Sequence, residues 1–308
     1  AGYGQNGYGK TGGVDNEGKS SQERLAAVAA NVQNLADFTK YANEKGVATG
    51  LWTQSYLTPD SNPKTEWQLL RDFKNEVKVG GVSTLKTDVA WVGHGYSMQL
   101  DGVKTAYDIA TTEGKVRPNI ISLDGWAGSQ RYCGIWTGDQ YGGEWEYIRF
   151  HIPTYIGTSL SGNPNIGSDM DGIFGGNQLI ATRDYQWKSF TPLMLNMDGW
   201  GTYAKMPYTF GDPYTGINRM YLKTKAQLLP YIYTGAASAA NIDTGNGDTG
   251  LPLIRAMFLE YPDDSYASSK EMQYQYMLGS NLLVAPIYKS TAADDKGNDV
   301  RNTIYLPD

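Results

Sequence analysis

Gly81-Val-Ser-Thr-Leu-Lys-Thr-Asp88 decides how this chain is read: a short strand-like run that closes on a carboxylate, with Trp91 just beyond it. Ile135-Trp-Thr-Gly-Asp139-Gln-Tyr-Gly-Gly143 repeats the arrangement, with Trp136 as the neighbouring indole. A carboxylate at the C-terminal tip of a buried strand, framed by tryptophan, suits sugar chemistry. There one acid protonates a glycosidic oxygen while a second carboxylate faces the anomeric carbon. A lone aspartate in such a place is more commonly a turn residue, so the surrounding sequence has to decide.

Working outward, strands and helices alternate. Ser20-Ser-Gln-Glu23 offers a capping box, and Leu25, Val28, Ala29, Val32, Leu35, Ala36 and Phe38 form an apolar face that Gly46 ends. A strand over Val47–Thr53 follows, then a helix from about Thr65 to Val79 and the strand ending at Asp88. A helix over Gly102–Thr112 leads into the strand Pro118–Asp124, and the strand Gly134–Asp139 into a helix over Glu144–Ile156. A strand end at Asn165–Asp169, a helix over Thr182–Phe190, the strand Leu193–Asp198 and a long helix from Ile217 to Ala240 complete the series. Of six strands, those ending near Trp52, Asp88, Asp124, Asp139, Asp169 and Asp198, five finish in aspartate.

Such alternation predicts a parallel sheet. Acids gathered at strand C-termini favour a (β/α)8 TIM barrel, whose chemistry sits on that face, over a doubly wound open sheet. After about Gly250 the pattern changes: Leu253–Leu259, Asn281–Tyr288 and Thr303–Leu306 read as strands between polar turns, the start of a β-sandwich domain. The expected division is a catalytic barrel over residues 1–250 and a β-rich domain over residues 251–308.

The composition narrows the ligand. The 308 residues carry a net charge of -6, so there is no basic footprint for nucleic acid. Charged residues make up only 19%, against 23 Tyr, 8 Trp and 37 Gly, which points to aromatic platforms for neutral polar ligands. Cys133 is the single cysteine and reads as a small buried thiol; His94 and His151 are too few for a zinc site by default. No metal or cofactor is expected, and no apolar run is long enough to span a membrane.

Two motifs mislead. Gly4-Gln-Asn-Gly-Tyr-Gly-Lys10-Thr11 has P-loop spacing, and the same opening twice fits a dinucleotide-binding glycine pattern. Phosphate binding also needs a strand to deliver the loop and a helix to receive the anion, whereas Gly12, Gly13 and further polar residues follow here. Asp294-Asp-Lys-Gly-Asn-Asp299 lacks the spacing and closing glutamate of a calcium loop.

The block Asp124-Gly-Trp-Ala-Gly-Ser-Gln-Arg131-Tyr-Cys-Gly-Ile-Trp136-Thr-Gly-Asp139-Gln, followed by Gly167-Ser-Asp169-Met-Asp171-Gly-Ile-Phe-Gly-Gly176, resembles glycoside hydrolase family 31. Gln275–Pro286 and Tyr305–Asp308 resemble that family's passage into its proximal C-terminal β-domain. The resemblance implies barrel strands three to eight in this chain, with the first two strands and an N-terminal β-sandwich before Ala1 and further β-structure after Asp308. It implies Asp88 as nucleophile and Asp139 as general acid/base of a retaining enzyme, with carboxyls about 5–5.5 Å apart. It assigns Arg131, Trp136 and Asp169 to the subsite of the sugar whose C1 reacts.

The chain departs from the usual α-glucosidase pattern. Val89-Ala-Trp91 follows the nucleophile position, and Met197-Asp-Gly-Trp200 stands on the last strand. Gly50-Leu-Trp-Thr-Gln54, Lys86–Trp91 and Leu195–Trp200 more closely resemble the branch with dextranases, 6-α-glucosyltransferases, isomaltosyltransferases and cycloalternan-forming enzymes. That branch handles α-1,6- and α-1,3-linked glucans; the expectation here is an α-glucan with α-1,6 linkages, with transfer slightly favoured over hydrolysis, which acceptor-site loops decide. Trp52, Trp91, Trp126 and Trp200 are then sugar-stacking candidates, with Asp198 a further substrate-binding residue. Several alternatives stay open: Arg131 paired with Asp124, Trp136 in the core, Asp171 in place of Asp169, a hydrolytic dextranase or α-glucosidase, or a non-catalytic carbohydrate-binding relative. An extracellular or cell-surface location is expected.

Overall fold

The computed structural model describes residues 20–53, 72–88, 100–123, 125–197, 203–290, 301 and 303–307. They form two compact units, residues 1–135 and 136–308.

The first unit holds α1 (Ser21–Glu44), β1 (Gly50–Thr53), α2 (Phe73–Lys78), β2 (Thr84–Thr87), α3 (Leu100–Glu113) and β3 (Asn119–Ser122), and it reaches into β4 (Gly134–Trp136). The capping box is present: the Ser20 hydroxyl accepts from the Glu23 N–H, and the Glu23 carboxylate accepts from the Ser20 N–H at 2.8 Å. The buried stripe of α1 is narrower than the expected face. Val28, Val32, Leu35 and Ala42 are buried at alternating spacings of four, three and seven, while Leu25 and Phe38 stay 48% and 56% exposed. The expected helix from Thr65 shows only its end as α2, since residues 54–71 lie outside the described residues.

The strands of this unit are parallel and neighbour one another in chain order. Leu51, Leu85 and Ile120 are register partners, and they meet Leu35, Phe73, Val103, Ala106 and Ala110 from the helices in one core. Each such fully buried large side chain contributes roughly 1.5–3 kcal/mol. Because strand side chains alternate, Trp52, its register partner Lys86, and Asp88 are directed to the face away from the helices.

The second unit runs from Trp136 through α4 (Trp145–Leu160), β5 (Ile166–Gly167), α5 (Gln178–Lys188), α6 (Tyr214–Ala239), β6 (Ile254–Ala256), α7 (Met257–Glu260), β7 (Tyr276–Leu278) and β8 (Leu282–Val284). Ile148, Ile152, Tyr155 and Ile156 line one face of α4 and share a core with Ile254, Tyr276 and Leu278. The helical layer and the antiparallel β6-β7-β8 sheet are thus sealed by the same side chains.

Several expected strands are modified, among them Asn281–Tyr288, which is a strand only as β8 (Leu282–Val284). β4 stops at Trp136, because Gly138 has φ +83° and turns the chain before Asp139. Leu193–Met197 contributes a single parallel bridge, Asp169 to Leu195. Leu253–Leu259 is a strand only to Ala256 and then turns helical. Thr303–Leu306 is not a strand: the Gln275 amide donates to the Tyr305 carbonyl at 2.7 Å and accepts from the Tyr305 N–H at 3.2 Å, standing in for a strand neighbour. Among the described residues no helix is long and apolar enough to cross a membrane.

Candidate active site

In the first unit the structure brings two expected residues together. Trp52 is the third residue of β1 and Asp88 the first after β2. The parallel register pairs Trp52 with Lys86, so the indole reaches forward along the sheet. Its Nε1–H donates to Asp88 Oδ2 at 2.7 Å. Below them, Thr87 Oγ1 donates to Ser122 Oγ at 2.8 Å between two buried register partners, tying the end of β2 to β3. The carboxylate therefore stands on a fixed strand tip, with the indole bonded to one of its oxygens.

Trp126 and Arg131 belong to the loop between β3 and β4. Trp126 is 49% exposed, and its carbonyl accepts from the Ser129 N–H that opens a 3-10 turn over Ser129–Arg131. Arg131 is exposed and makes no salt bridge among the described residues. Asp124, Trp91, Asp198 and Trp200 lie outside the described residues, so neither the Arg131–Asp124 alternative nor those three substrate-binding positions receive a geometry.

In the second unit Trp136 is 1% exposed and packed into the interior, while Asp139 is exposed on the turn after β4. That turn is held against the loop after β5 by backbone contacts only glycine permits. A Cβ on Gly142 would fall 1.8 Å from the Asp171 carbonyl oxygen, and one on Gly172 would fall 2.3 Å from that of Gln140. Asp171, itself at φ +52°, completes the join. One carboxylate oxygen accepts from the Gly143 N–H at 2.5 Å; the other accepts from the Asn177 N–H at 2.9 Å and from the Tyr203 hydroxyl at 2.8 Å.

Those bonds separate Asp171 from Asp169. Asp171 is fully buried, and its acceptor positions are taken up in fastening two loops. Asp169 is 2% exposed, and among the described residues its Oδ2 has no hydrogen-bond partner. A buried carboxylate oxygen left in that condition is costly, and a sugar hydroxyl is a donor that would complete it.

Sequence reasoning missed the charged layer beneath Asp169. Lys188 Nζ donates to Asp184 Oδ2 at 2.5 Å and to the Asp169 carbonyl at 2.9 Å, with both side chains of the ion pair 0% exposed. Desolvation lowers the pKa of Lys188 and raises that of Asp184, each offset by the partner's opposite charge. Asp184 also accepts from the Asp171 N–H at 2.9 Å and from Trp187 Nε1 at 2.7 Å. Lys205, fully buried as well, donates to the carbonyls of Met170, Gly172 and Ile173. The i,i+4 spacing of Asp184 and Lys188 was visible in the sequence; that it is buried was not.

His151 is also buried structure. Its ring bonds Thr137 Oγ1 at 2.9 Å and the Tyr147 carbonyl at 2.7 Å. Burial, then the nearby Lys188 charge, push its pKa from the ordinary 6.5 down to about 3. The unfolded chain therefore binds a proton at this site between those values while the folded one does not. The stability supplied by the neutral ring is complete above pH 6.5 and falls as pH drops toward 3, at up to about 1.4 kcal/mol per pH unit. Melting temperatures measured from pH 7 to pH 4 should decline, and His151→Gln should flatten the decline. An equal slope in the variant would assign the acid sensitivity to other groups.

Comparison with known proteins shows the family. The chain is 32% identical over 269 residues to a probable glucan 1,3-alpha-glucosidase of Arabidopsis thaliana, covering 87% of this chain and 26% of that protein. It is 34% identical over 172 residues to alpha-glucosidase 2 of Bacillus thermoamyloliquefaciens, covering 56% of this chain and 21% of that one. It thus spans about a quarter of the length of these curated relatives. Among solved structures, the Flavobacterium johnsoniae dextranase complexed with glucose matches at TM-score 0.57 and 26% identity, over 70% of this chain and 29% of that one. The cycloalternan-degrading enzyme of Trueperella pyogenes shares the fold at TM-score 0.68 and 20% identity, over 84% and 45% of the two chains. Residues 26–235 match the TIM-barrel domain of glycosyl hydrolases family 31 and residues 250–308 its C-terminal domain, so the chain belongs to glycoside hydrolase family 31.

Proposed function

We propose that the protein containing this chain breaks and re-forms α-1,6 linkages of an α-glucan by double displacement, with transfer to an acceptor sugar as its favoured outcome. Asp139 gives its proton to the glycosidic oxygen as the C1–O bond breaks, and an Asp88 oxygen bonds to C1. Asp139, now a carboxylate, takes the proton of an incoming hydroxyl as that oxygen replaces Asp88 on C1. The observation that carries the reading is the Trp52–Asp88 hydrogen bond of 2.7 Å, which presets a strand-tip carboxylate for in-line attack. The orphan Oδ2 of Asp169 supports it as an acceptor for a sugar hydroxyl. Arg131 is assigned to the reacting sugar, and Trp52, Trp91, Trp126, Asp198 and Trp200 to the surrounding substrate surface, while Trp136, 1% exposed, fits the core role left open for it. A polymeric glucan does not enter cells unaided, which favours action outside the cell.

Incubating the intact protein with isomaltotriose tests this. Oligosaccharides longer than the substrate, or with changed linkages, are expected beside the released sugars. Release of glucose or isomaltose alone would replace transfer by hydrolysis. No turnover, together with retained binding of the sugar, would favour a carbohydrate-binding relative.

A further inference from the structure

The two loops joined by Asp171 also carry a stacked aromatic pair that no site residue accounts for. Tyr141, two residues beyond Asp139, is 82% exposed, yet its ring lies on Phe174 with centroids 4.8 Å apart and planes inclined by 29°. A tyrosine so exposed would ordinarily sample several rotamers. Here its partner ring holds it, and the backbone beneath is fixed, since the Ile173 N–H donates to the Gln140 carbonyl at 3.1 Å. The result is a flat apolar surface, held in place in advance, with one face turned to solvent.

From this we infer that Tyr141, backed by Phe174, is a stacking platform for the sugar ring on the leaving-group and acceptor side of the reacting bond. The inference rests on the double-displacement reading and on Asp139 as its acid/base. An acid/base touches the bridging oxygen, so it stands at the junction between the sugar that is attacked and the sugar that departs. Two residues of chain place Tyr141 within about 7 Å of Asp139 along the backbone, roughly the length of one pyranose. The C–H-rich face of a glucose ring stacks on an aromatic plane, and fixing the plane in advance lowers the entropy lost on binding. Because the acceptor in transfer occupies the place the leaving sugar vacates, the same platform sets how well a glucan competes with water.

The experiment compares two substrates in the intact protein. Isomaltotriose needs its leaving sugar bound, whereas in α-glucosyl fluoride the group that leaves C1 is fluoride and no leaving sugar has to be held. In Tyr141→Ala, the ratio of kcat/KM for isomaltotriose to that for α-glucosyl fluoride should fall about tenfold, and the fraction of transfer products should fall with it. Tyr141→Trp should restore both. An unaltered ratio would overturn the platform while leaving double displacement intact. Equal losses on both substrates would overturn it too, by making Tyr141 a support of the reacting centre. If the unaltered protein turns over neither substrate, the functional reading itself fails, and the platform with it.

Discussion

Asp139→Ala should lower cleavage of isomaltotriose by about 10³-fold, the scale on which a positioned general acid and base acts. The pattern across substrates matters more than the size. Fluoride leaves C1 without protonation, so α-glucosyl fluoride should still load the enzyme, giving a burst of one fluoride per active site before a slow steady state. The slow phase reflects a missing base, and azide, a nucleophile that carries no proton to remove, should restore turnover. Asp88→Ala removes the atom that bonds to C1, so it should show neither burst nor azide-restored turnover through that intermediate, with a loss of about 10⁴-fold or more. Swapped behaviour of the two variants would exchange the assigned roles. Unchanged turnover in either variant would remove that residue from the chemistry.

The second large effect is on stability. Lys188→Met should destabilise the protein by about 3–5 kcal/mol, because it leaves Asp184 charged and buried without its cation. The same change withdraws one of two donors on the Asp169 carbonyl, Lys188 Nζ at 2.9 Å, and leaves the Tyr147 hydroxyl as the other. Combining it with Asp184→Leu removes the uncompensated charge and should recover part of the loss, although Trp187 Nε1 and the Asp171 N–H then lose an acceptor. Denaturant midpoints for the two single variants and the double variant measure the coupling directly. If Lys188→Met matches the unaltered protein, the ion pair is not what supports the loop at Asp169.

The sequence showed the alternation of helices and strands because its signals are local. Ser20 and Glu23 cap a helix within four residues, and the apolar runs ending at Asp88 and Asp139 need only their neighbours to be recognised. Strand lengths were harder, since they depend on partners distant in sequence. Leu195 finds one bridge, to Asp169, rather than a full strand, and Tyr305 pairs with the Gln275 side chain. The site divides in the same way. Trp52 and Asp88 could be chosen by residue type and position, but the sequence left open which of Asp169 and Asp171 faces a ligand. Their environments differ through Gly143, Asn177 and Tyr203, up to 32 residues away in the chain, and no local pattern records those contacts.

The side chains of α4 that seal against β6 and β7 have a consequence for how this protein can change over time. Ile148, Ile152 and Tyr155 meet Ile254, Tyr276 and Leu278 in one apolar cluster, although the matched family segments part between residues 235 and 250. The antiparallel sheet is therefore not a cassette that recombination can exchange for another module. A graft ending at that seam would strip the packed face of α4, so any exchanged sheet would have to rebuild that apolar contact.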